Sequence, residues 1–165
     1  MRKLTVLVCA VLITSCTTPP RTASELREGK GSIGLSKREA HDLNREFSLV
    51  VSDVRRKSME CLRFAYTTSV TQGGVPLPDR MTFYNVGVKV VGSSKAEMTM
   101  QQDRKPRASH DPEGGYYVFV ADIEKIAASR TRMTMYGSSF PTWRPIFEAI
   151  KGWGEGKNVK CPETP

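Results

Sequence analysis

The chain has 165 residues, with 25 lysines and arginines against 17 aspartates and glutamates, a formal net charge of +8, and two histidines. This length suits one domain with a real hydrophobic core and argues against several domains. A net positive charge suits anionic partners but also promotes solubility, so it does not select a function by itself. No internal repeat is visible.

The first fifteen residues have the pattern of a cleavable export signal. Met1-Arg2-Lys3 carries two positive charges, and Leu4 to Thr14 contains no charged side chain. Such a stretch reaches roughly 17 Å as a helix, well short of the roughly 30 Å hydrocarbon core of a bilayer. A basic start, a short apolar run and small residues predict a signal peptide over residues 1–15, not a membrane-spanning helix.

The end of this segment, Ile13-Thr14-Ser15-Cys16, resembles the lipobox of bacterial lipoproteins, in which a branched aliphatic and two small residues precede a cysteine. The resemblance implies cleavage before Cys16, diacylation of its sulfur and usually acylation of the new amino group. Cys9 is the rival, but Val8 is too large for the position before cleavage. In Gram-negative lipoproteins an aspartate after the cysteine commonly retains the protein at the inner membrane. Thr17 stands here instead, which implies the outer membrane if the host is Gram-negative.

Lipidation would hold the protein at a membrane without a spanning helix, because two or three acyl chains bind far more firmly than one. Removal of the signal leaves 150 residues with a net charge of +6. We predict that residues 16–34 are the lipidated cysteine and a flexible tether, because Pro, Thr, Ser, Gly and charged residues dominate this stretch. Residues 35–165 are predicted to form a single periplasmic α+β domain.

Two cysteines remain in the predicted mature chain, Cys61 and Cys161. Export places them in an oxidising compartment, which favours a disulfide between them. The bond would close a loop of about 100 residues, for which the chain-entropy model gives up to roughly 4–5 kcal/mol. Two buried free thiols are the alternative.

The residues after the tether predict a helix. Ser36-Lys37-Arg38-Glu39 has the form of a capping box, which marks a helix N-terminus. His41 and Asp42 would lie on the polar side of the first turns. Apolar residues then recur on one helical face up to about Ser58: Leu43, Phe47, Val50, Val51 and Val54.

From Phe64 onwards the apolar period changes to that of strands. Five strands are predicted, at about 64–70, 81–91, 96–101, 116–121 and 131–136. Residues 103–115 are predicted to form a polar loop, and residues 122–129 a short connection. A second amphipathic helix, which ends at Gly154 and Gly156, is predicted from Trp143, Ile146, Phe147, Ile150 and Trp153.

This order predicts an α+β fold, with an antiparallel sheet of about five strands and an N-terminal and a C-terminal amphipathic helix packed on one face. Over roughly residues 36–160 the arrangement resembles the helix-grip and related α+β domains of envelope lipoproteins and lipid carriers, in architecture and without a shared motif. Because one fold serves many functions, function has to be argued from the residues themselves.

No catalytic constellation is recognisable. Gly29–Gly34 matches G-x-G-x-x-G, but a tether precedes it and no parallel β-α-β unit follows. His41 stands apart from other metal ligands, and His110-Asp111-Pro112-Glu113 is a weak donor set in a loop. No G-x-S-x-G or S-x-x-K occurs. We predict a protein that is not an enzyme and has no cofactor or metal.

Two groups of residues leave alternatives open. The methionine pairs either pack in the core, which we favour, or offer thioethers to Cu(I) or an apolar layer to a ligand: Met98, Met100, Met133 and Met135. The densest basic groupings either lie solvated or meet at one end of the sheet to bind phosphate or carboxylate: Arg104, Lys105, Arg107, Arg130 and Arg132.

The sequence thus predicts a membrane-anchored, non-enzymatic lipoprotein on the periplasmic side of the bacterial outer membrane, a binding or structural accessory module. Its partners would be the membrane through the lipid anchor and an envelope protein, lipopolysaccharide or the cell wall. Nucleic acid is not predicted, because an exported protein seldom meets it. The alternative is a carrier of a small apolar or lipid ligand, which a cavity lined by the methionines and Val86, Val88 and Val90 would favour.

Overall fold

A computed structural model of the protein describes residues 18–30, 36–69 and 71–163. The predicted signal peptide and Cys16 lie outside the described residues. The helices are α1 (Ala23–Arg27), α2 (Phe47–Cys61) and α3 (Arg144–Gly154), the last preceded by a 3₁₀ turn (Pro141–Trp143). The strands are β1 (Ser36–Leu43), β2 (Ala65–Thr68), β3 (Thr71–Gln72), β4 (Val75–Pro76), β5 (Arg80–Val91), β6 (Lys95–Lys105), β7 (Tyr116–Ala127) and β8 (Arg130–Ser138).

Six strands form one antiparallel sheet in the order β1-β8-β7-β6-β5-β2, and β3 pairs with β4 in a separate hairpin. Strands β5 to β8 are adjacent in sequence order, as expected for antiparallel strands joined by short turns or a loop. The α+β class and the large antiparallel sheet are therefore confirmed. The predicted number of about five strands is corrected to six, with the β3–β4 hairpin in addition.

One face of the sheet, here called the helical face, packs against α2 and α3. Successive side chains of a strand point to opposite faces of the sheet. Four methionines of β6 and β8 are fully buried on the helical face: Met98, Met100, Met133 and Met135. From α3, the ring of Phe147 packs edge-on against Phe119, with centroids 5.0 Å apart. The predicted C-terminal helix and the prediction that the methionines are core residues are both confirmed.

Residues 36–43, predicted as the start of a helix, form the edge strand β1 instead. They pair with β8 from Ser36–Ser138 to Leu43–Thr131. Their side chains alternate between exposed and half-buried, and only Leu43 is buried. The stretch therefore has no apolar helical face of its own, and pairing with β8 outweighs the local capping signal. Helix α2 begins at Phe47 without a side-chain cap and carries the apolar spacing that was predicted.

Residues 122–129, predicted as a connection, mostly extend β7. The strand continues to Ala127 and leaves Ala128 and Ser129 for the turn into β8. Its alternation is visible in the structure, because Ile123 is fully buried on the helical face while Asp122 lies half-buried on the other. Asp122 and Glu124 lie on the outward side of this strand.

The other face of the sheet, here called the open face, is partly covered by α1. This helix has Thr22 as N-cap, whose Oγ1 accepts a hydrogen bond from Glu25 N–H at 3.1 Å. Leu26 is buried against β7 and β8. The Arg27 guanidinium forms ion pairs with both Glu97 and Asp122. Residues 18–30 were predicted as part of a flexible tether, and the structure corrects this: they dock on the sheet.

A disulfide joins Cys61, at the end of α2, to Cys161 in the segment after α3. The two Cα atoms are 5.0 Å apart, and the cysteines are separated by 100 residues in the sequence. The bond therefore links the C-terminal end of α2 to the segment that follows α3. It joins the two cysteines whose pairing the sequence predicted.

Candidate functional site

The five basic residues proposed as an anion site do not meet. Strand register places Arg104 opposite Thr82 near the loop between β6 and β7. Arg132 pairs with Glu124, which in turn pairs with Lys95 at the start of β6. The groupings therefore lie at opposite ends of the sheet, separated by about ten residues of β6, or roughly 33 Å. The alternative in which all five residues meet at one end of the sheet therefore does not hold.

The turn end of the sheet is formed by the β5–β6 turn (92–94) and the β7–β8 turn (128–129). Three of its basic side chains, Lys95, Arg130 and Arg132, are paired with carboxylates, whereas Lys89 and Lys125 nearby are exposed and form no ion pair within the described residues. Arg132 Nε lies 2.7 Å from Asp42 Oδ1, and Arg130 approaches the same carboxylate at 3.3 Å. The hydrogen bond from Arg132 holds the pKa of Asp42 below its usual value. Lys95 Nζ contacts Glu124 at 2.8 Å.

The loop end of the sheet is formed by the β6–β7 loop (106–115) and the strand residues beside it. Arg107 binds Asp103 through two hydrogen bonds, Nε to Oδ1 at 2.7 Å and a terminal nitrogen to Oδ2 at 2.6 Å. Asp103 is buried, and the Arg107 guanidinium lowers the pKa of its carboxyl group. Lys105 Nζ is farther from the same carboxylate, at 3.7 Å. Asp103 is thus already neutralised by Arg107.

The N-terminal segment meets the sheet at this loop end. The Pro20 carbonyl oxygen accepts a hydrogen bond from Tyr117 N–H at 2.9 Å, and the Arg21 guanidinium donates to the carbonyl oxygen of His110. Asp111 accepts hydrogen bonds from the Tyr116 hydroxyl at 2.8 Å and from Ala108 N–H at 3.0 Å. These bonds lower the pKa of Asp111 and tie the loop to β7.

The path of the loop depends on Gly115. Its φ is +90°, and a Cβ built there would lie 2.2 Å from the carbonyl oxygen of Gln102. A side chain at this position would collide with backbone, so only glycine allows the loop to close onto β6. Gly115 thus sets the path by which the loop returns from β6 to β7.

A polar cleft of about 280 Å³ lies between α2 and the segment after α3, lined by Asp53, Arg56, Lys57, Trp153, Gly156, Lys157 and Asn158. Asp53 accepts hydrogen bonds from Arg45 and Arg56, each at 3.0 Å. Lys57 and Lys157 face Glu60 and Glu155. The cations around this cleft are therefore compensated within the protein.

Arg45, beside the cleft, joins three elements. Its guanidinium donates to the carbonyl oxygen of Gly154 at 3.0 Å, at the C-terminus of α3, where a cation complements the helix dipole. Its own carbonyl oxygen accepts a hydrogen bond from Thr131 Oγ1 at 2.8 Å. Arg45 thus positions α3 over the sheet, a structural role that the sequence reading did not recognise.

The histidines are far from one another in the fold. His41 lies on β1, 3.3 Å from Glu39, and His110 lies in the exposed β6–β7 loop. Within residues 18–30, 36–69 and 71–163, no three His, Cys, Asp or Glu side chains are grouped as metal ligands. Among the same residues no helix is long and apolar enough to cross a membrane. The G-x-G-x-x-G match extends beyond the described residues.

Sequence reasoning missed the residues that build the loop end around the docked segment. The contact of Pro20 with Tyr117 is made by backbone atoms, so no pattern of side chains in the sequence indicates it. The Asp103–Arg107 pair does have a signal, because a carboxylate and an arginine four residues apart flank a proline-containing turn. That signal was interpreted as part of a basic run.

No protein-family model and no curated protein matches this chain. Among solved structures, the chain is similar to a START superfamily protein from Mycobacterium smegmatis, with 10% identity and a TM-score of 0.33, over 74% of this chain and 96% of that chain. It is also similar to a hypothetical protein from Helicobacter pylori, with 9% identity and a TM-score of 0.38, over 82% of this chain and 90% of that chain. Both likenesses are too distant to assign a function.

Proposed function

We propose that this protein is a lipid-anchored, non-enzymatic module of the bacterial cell envelope. It is held on the periplasmic side of the outer membrane and binds or braces another envelope component. The observation that carries the proposal is the lipobox-like sequence ending at Cys16. It stands four residues before Pro20, the first buried residue of the described chain. Two or three acyl chains at Cys16 would fix a folded domain to the bilayer for practical purposes permanently.

The distribution of features over the domain supports action by surface contact. The side chains of the helical face pack against one another in one core. Exposed apolar residues lie at both ends of the sheet instead, among them Val91 (54% exposed) and Ile126 (41%) at the turn end. Contiguous exposed apolar patches mark surfaces that bind a partner, and the proposal assigns Val91 and Ile126 to such a patch.

The lipid anchor is tested by metabolic labelling with a fatty-acid analogue in a Gram-negative host. Wild type and Cys9→Ser should be labelled and should sediment with membranes, because Cys9 lies in the predicted signal peptide. Cys16→Ser should lose the label. Thr17→Asp should move the protein from the outer-membrane to the inner-membrane fraction. Equal labelling of Cys16→Ser and wild type would refute the anchor.

The binding role is tested by crosslinking in intact cells, followed by identification of the crosslinked envelope component. We expect Val91→Lys with Ile126→Lys to abolish the main product, because two exposed apolar side chains at the turn end are lost. Leu49→Lys, a change at a residue 51% exposed on α2, is the matched control and should leave the product intact. A product that both variants retain equally would contradict this assignment.

A carrier of a small apolar ligand is the second candidate. It is favoured by the methionine layer between sheet and helices, because methionine side chains repack readily around irregular shapes. Entry of a ligand would require displacement of α2 or α3, since the four methionines have no exposed surface. Organic extraction followed by mass spectrometry separates the candidates: a carrier releases a stoichiometric non-covalent lipid, whereas the covalent anchor stays with the protein.

A further inference from the structure

The docked N-terminal segment determines which part of the domain lies nearest to the proposed anchor. Pro20 is buried and bonded through its carbonyl oxygen to the backbone of Tyr117 at the loop end. Four residues separate Cys16 from Pro20, and four residues span at most about 14 Å when fully extended. A lipid attached to Cys16 therefore keeps the start of β7 within about 14 Å of the membrane interface.

The same segment restricts how the domain is oriented. After Pro20 the chain remains attached through Arg21 to His110, through buried Leu26 and through the ion pairs of Arg27. The domain is thus joined to the anchor at one fixed place instead of through a long tether. The loop end is therefore the part of the sheet nearest to the proposed anchor, and the turn end lies roughly 33 Å from it along β6.

Cations without an ion pair lie at both ends of the sheet in the described chain, Lys89 and Lys125 toward the turn end among them, but only the loop end lies next to the proposed anchor. Asp103 is occupied by Arg107, and Asp111 accepts bonds from Tyr116 and Ala108. Arg80 and Arg104 form no ion pair within the described part of the chain, and both are exposed, as is Lys105. Positive charge is therefore available to an external anion at the end that lies next to the anchor.

Apolar side chains accompany these cations. Met81, which pairs with Lys105 across the β5–β6 ladder, is 43% exposed. Val75, in the β3–β4 hairpin that extends beyond the Thr68–Arg80 pair, is 63% exposed. Basic residues beside exposed apolar ones are suited to the boundary between headgroups and acyl chains.

We infer that the loop end docks on the anionic phospholipid headgroups of the membrane that carries the anchor. Arg80, Arg104 and Lys105 supply the contacts, and the docked surface orients the turn end toward the periplasm. The inference rests on the proposed lipid anchor. A Lys or Arg near a membrane surface contributes about a fivefold preference for anionic lipid, so two such residues contribute roughly 30-fold.

The test uses the lipidated full chain reconstituted into vesicles of phosphatidylcholine, with or without phosphatidylglycerol. A fluorophore is attached at Ser109→Cys in the loop end or at Ser93→Cys in the turn end, both exposed serines in turns. Lipid-borne quenchers report proximity to the bilayer. Arg104→Gln with Lys105→Gln removes two charges at the loop end, and Lys89→Gln with Lys125→Gln removes two toward the turn end.

With phosphatidylglycerol present, strong quenching is expected at Ser109→Cys and little at Ser93→Cys. The loop-end charge variant should reduce the quenching and remove its sensitivity to salt, while the other charge variant should leave both unchanged. The inference is overturned if quenching is equal at both sites, or if the loop-end charge variant is quenched as strongly as wild type. In both cases flotation of the protein with vesicles would show that the anchor itself is intact. Failure to float with either lipid composition overturns the proposed anchor, and the inference with it.

Discussion

The two faces of the sheet are covered in different ways. On the helical face, α2 and α3 bury a continuous apolar layer and are joined by the disulfide. On the open face, α1 covers part of the sheet through one buried leucine and one arginine with two carboxylate partners. Burial of apolar area dominates folding stability, whereas ion pairs near the surface contribute little. The helical face therefore stabilises the fold, and the open face sets where the N-terminal segment attaches.

The largest effect is expected from Phe147→Ala on the helical face. Phe147 is almost fully buried and packs edge-on against Phe119. Truncation leaves a cavity, and the free energy of unfolding should fall by about 3–5 kcal/mol. Phe140→Ala is the control, because Phe140 is 53% exposed and its loss should change stability by less than about 0.5 kcal/mol. Denaturant unfolding measures both, and equal effects would contradict the comparison.

Substitution of Met98 tests whether the methionine layer stabilises the fold by packing. Met98→Ala should lower the free energy of unfolding by about 2–5 kcal/mol, whereas Met98→Leu, which nearly conserves volume, should cost less than about 1.5 kcal/mol. Cu(I) titration should show no difference between wild type and a variant with leucine at all four buried positions. One equivalent of Cu(I) retained by wild type and lost in that variant would refute a purely packing role.

A smaller effect is expected from Leu26→Ala on the open face. Leu26 is the buried residue of α1, and its truncation should cost about 2–3 kcal/mol at most. We expect α1 to detach without unfolding the sheet, so amide exchange should accelerate at Tyr117 and across α1 while β6 and β8 remain protected. Arg27→Gln should give the same exchange pattern and lower the free energy of unfolding by about 1 kcal/mol. Uniform acceleration across all strands would show that α1 belongs to the cooperative core.

The last prediction concerns acid stability and Asp103 on the open face. Its folded pKa is below the unfolded value because of Arg107, so the pair stabilises the protein above the unfolded pKa of about 3.9 and loses this contribution as pH falls through the folded value. Asp103→Asn should cost about 1–3 kcal/mol near neutral pH, with the difference from wild type shrinking below about pH 4. A difference that does not vary with pH would exclude charge as its cause.

Features with a strong apolar period could be predicted from the sequence. Helix α3, most of α2 and the strands that carry the methionines all bury one regular face, so periodicity identifies them. The disulfide was also predictable, because two cysteines remained in an exported chain. These predictions needed no knowledge of which elements pair.

Features that depend on distant partners were not predictable. Strand β1 is polar apart from Leu43 and Ala40, and it carries a sequence that locally resembles a helix start, so only the edge of β8 makes it a strand. Helix α1 has a single buried side chain, too weak a signal to separate it from a tether. The sequence also left open whether the basic residues meet, because strand register, which separates them, is not visible in it.

The attachment of α1 has a mechanical consequence for an anchored domain. With the proposed anchor and a partner at the turn end, a force between them would pass first through Pro20, Arg21 and α1, before it reaches the strands. Those contacts open one after another, whereas sliding β5 to β8 past each other loads many hydrogen bonds at once. Release of residues 20–30 would lengthen the connection by about 35 Å. The proposed anchored domain would therefore extend its reach under tension while the sheet remains folded.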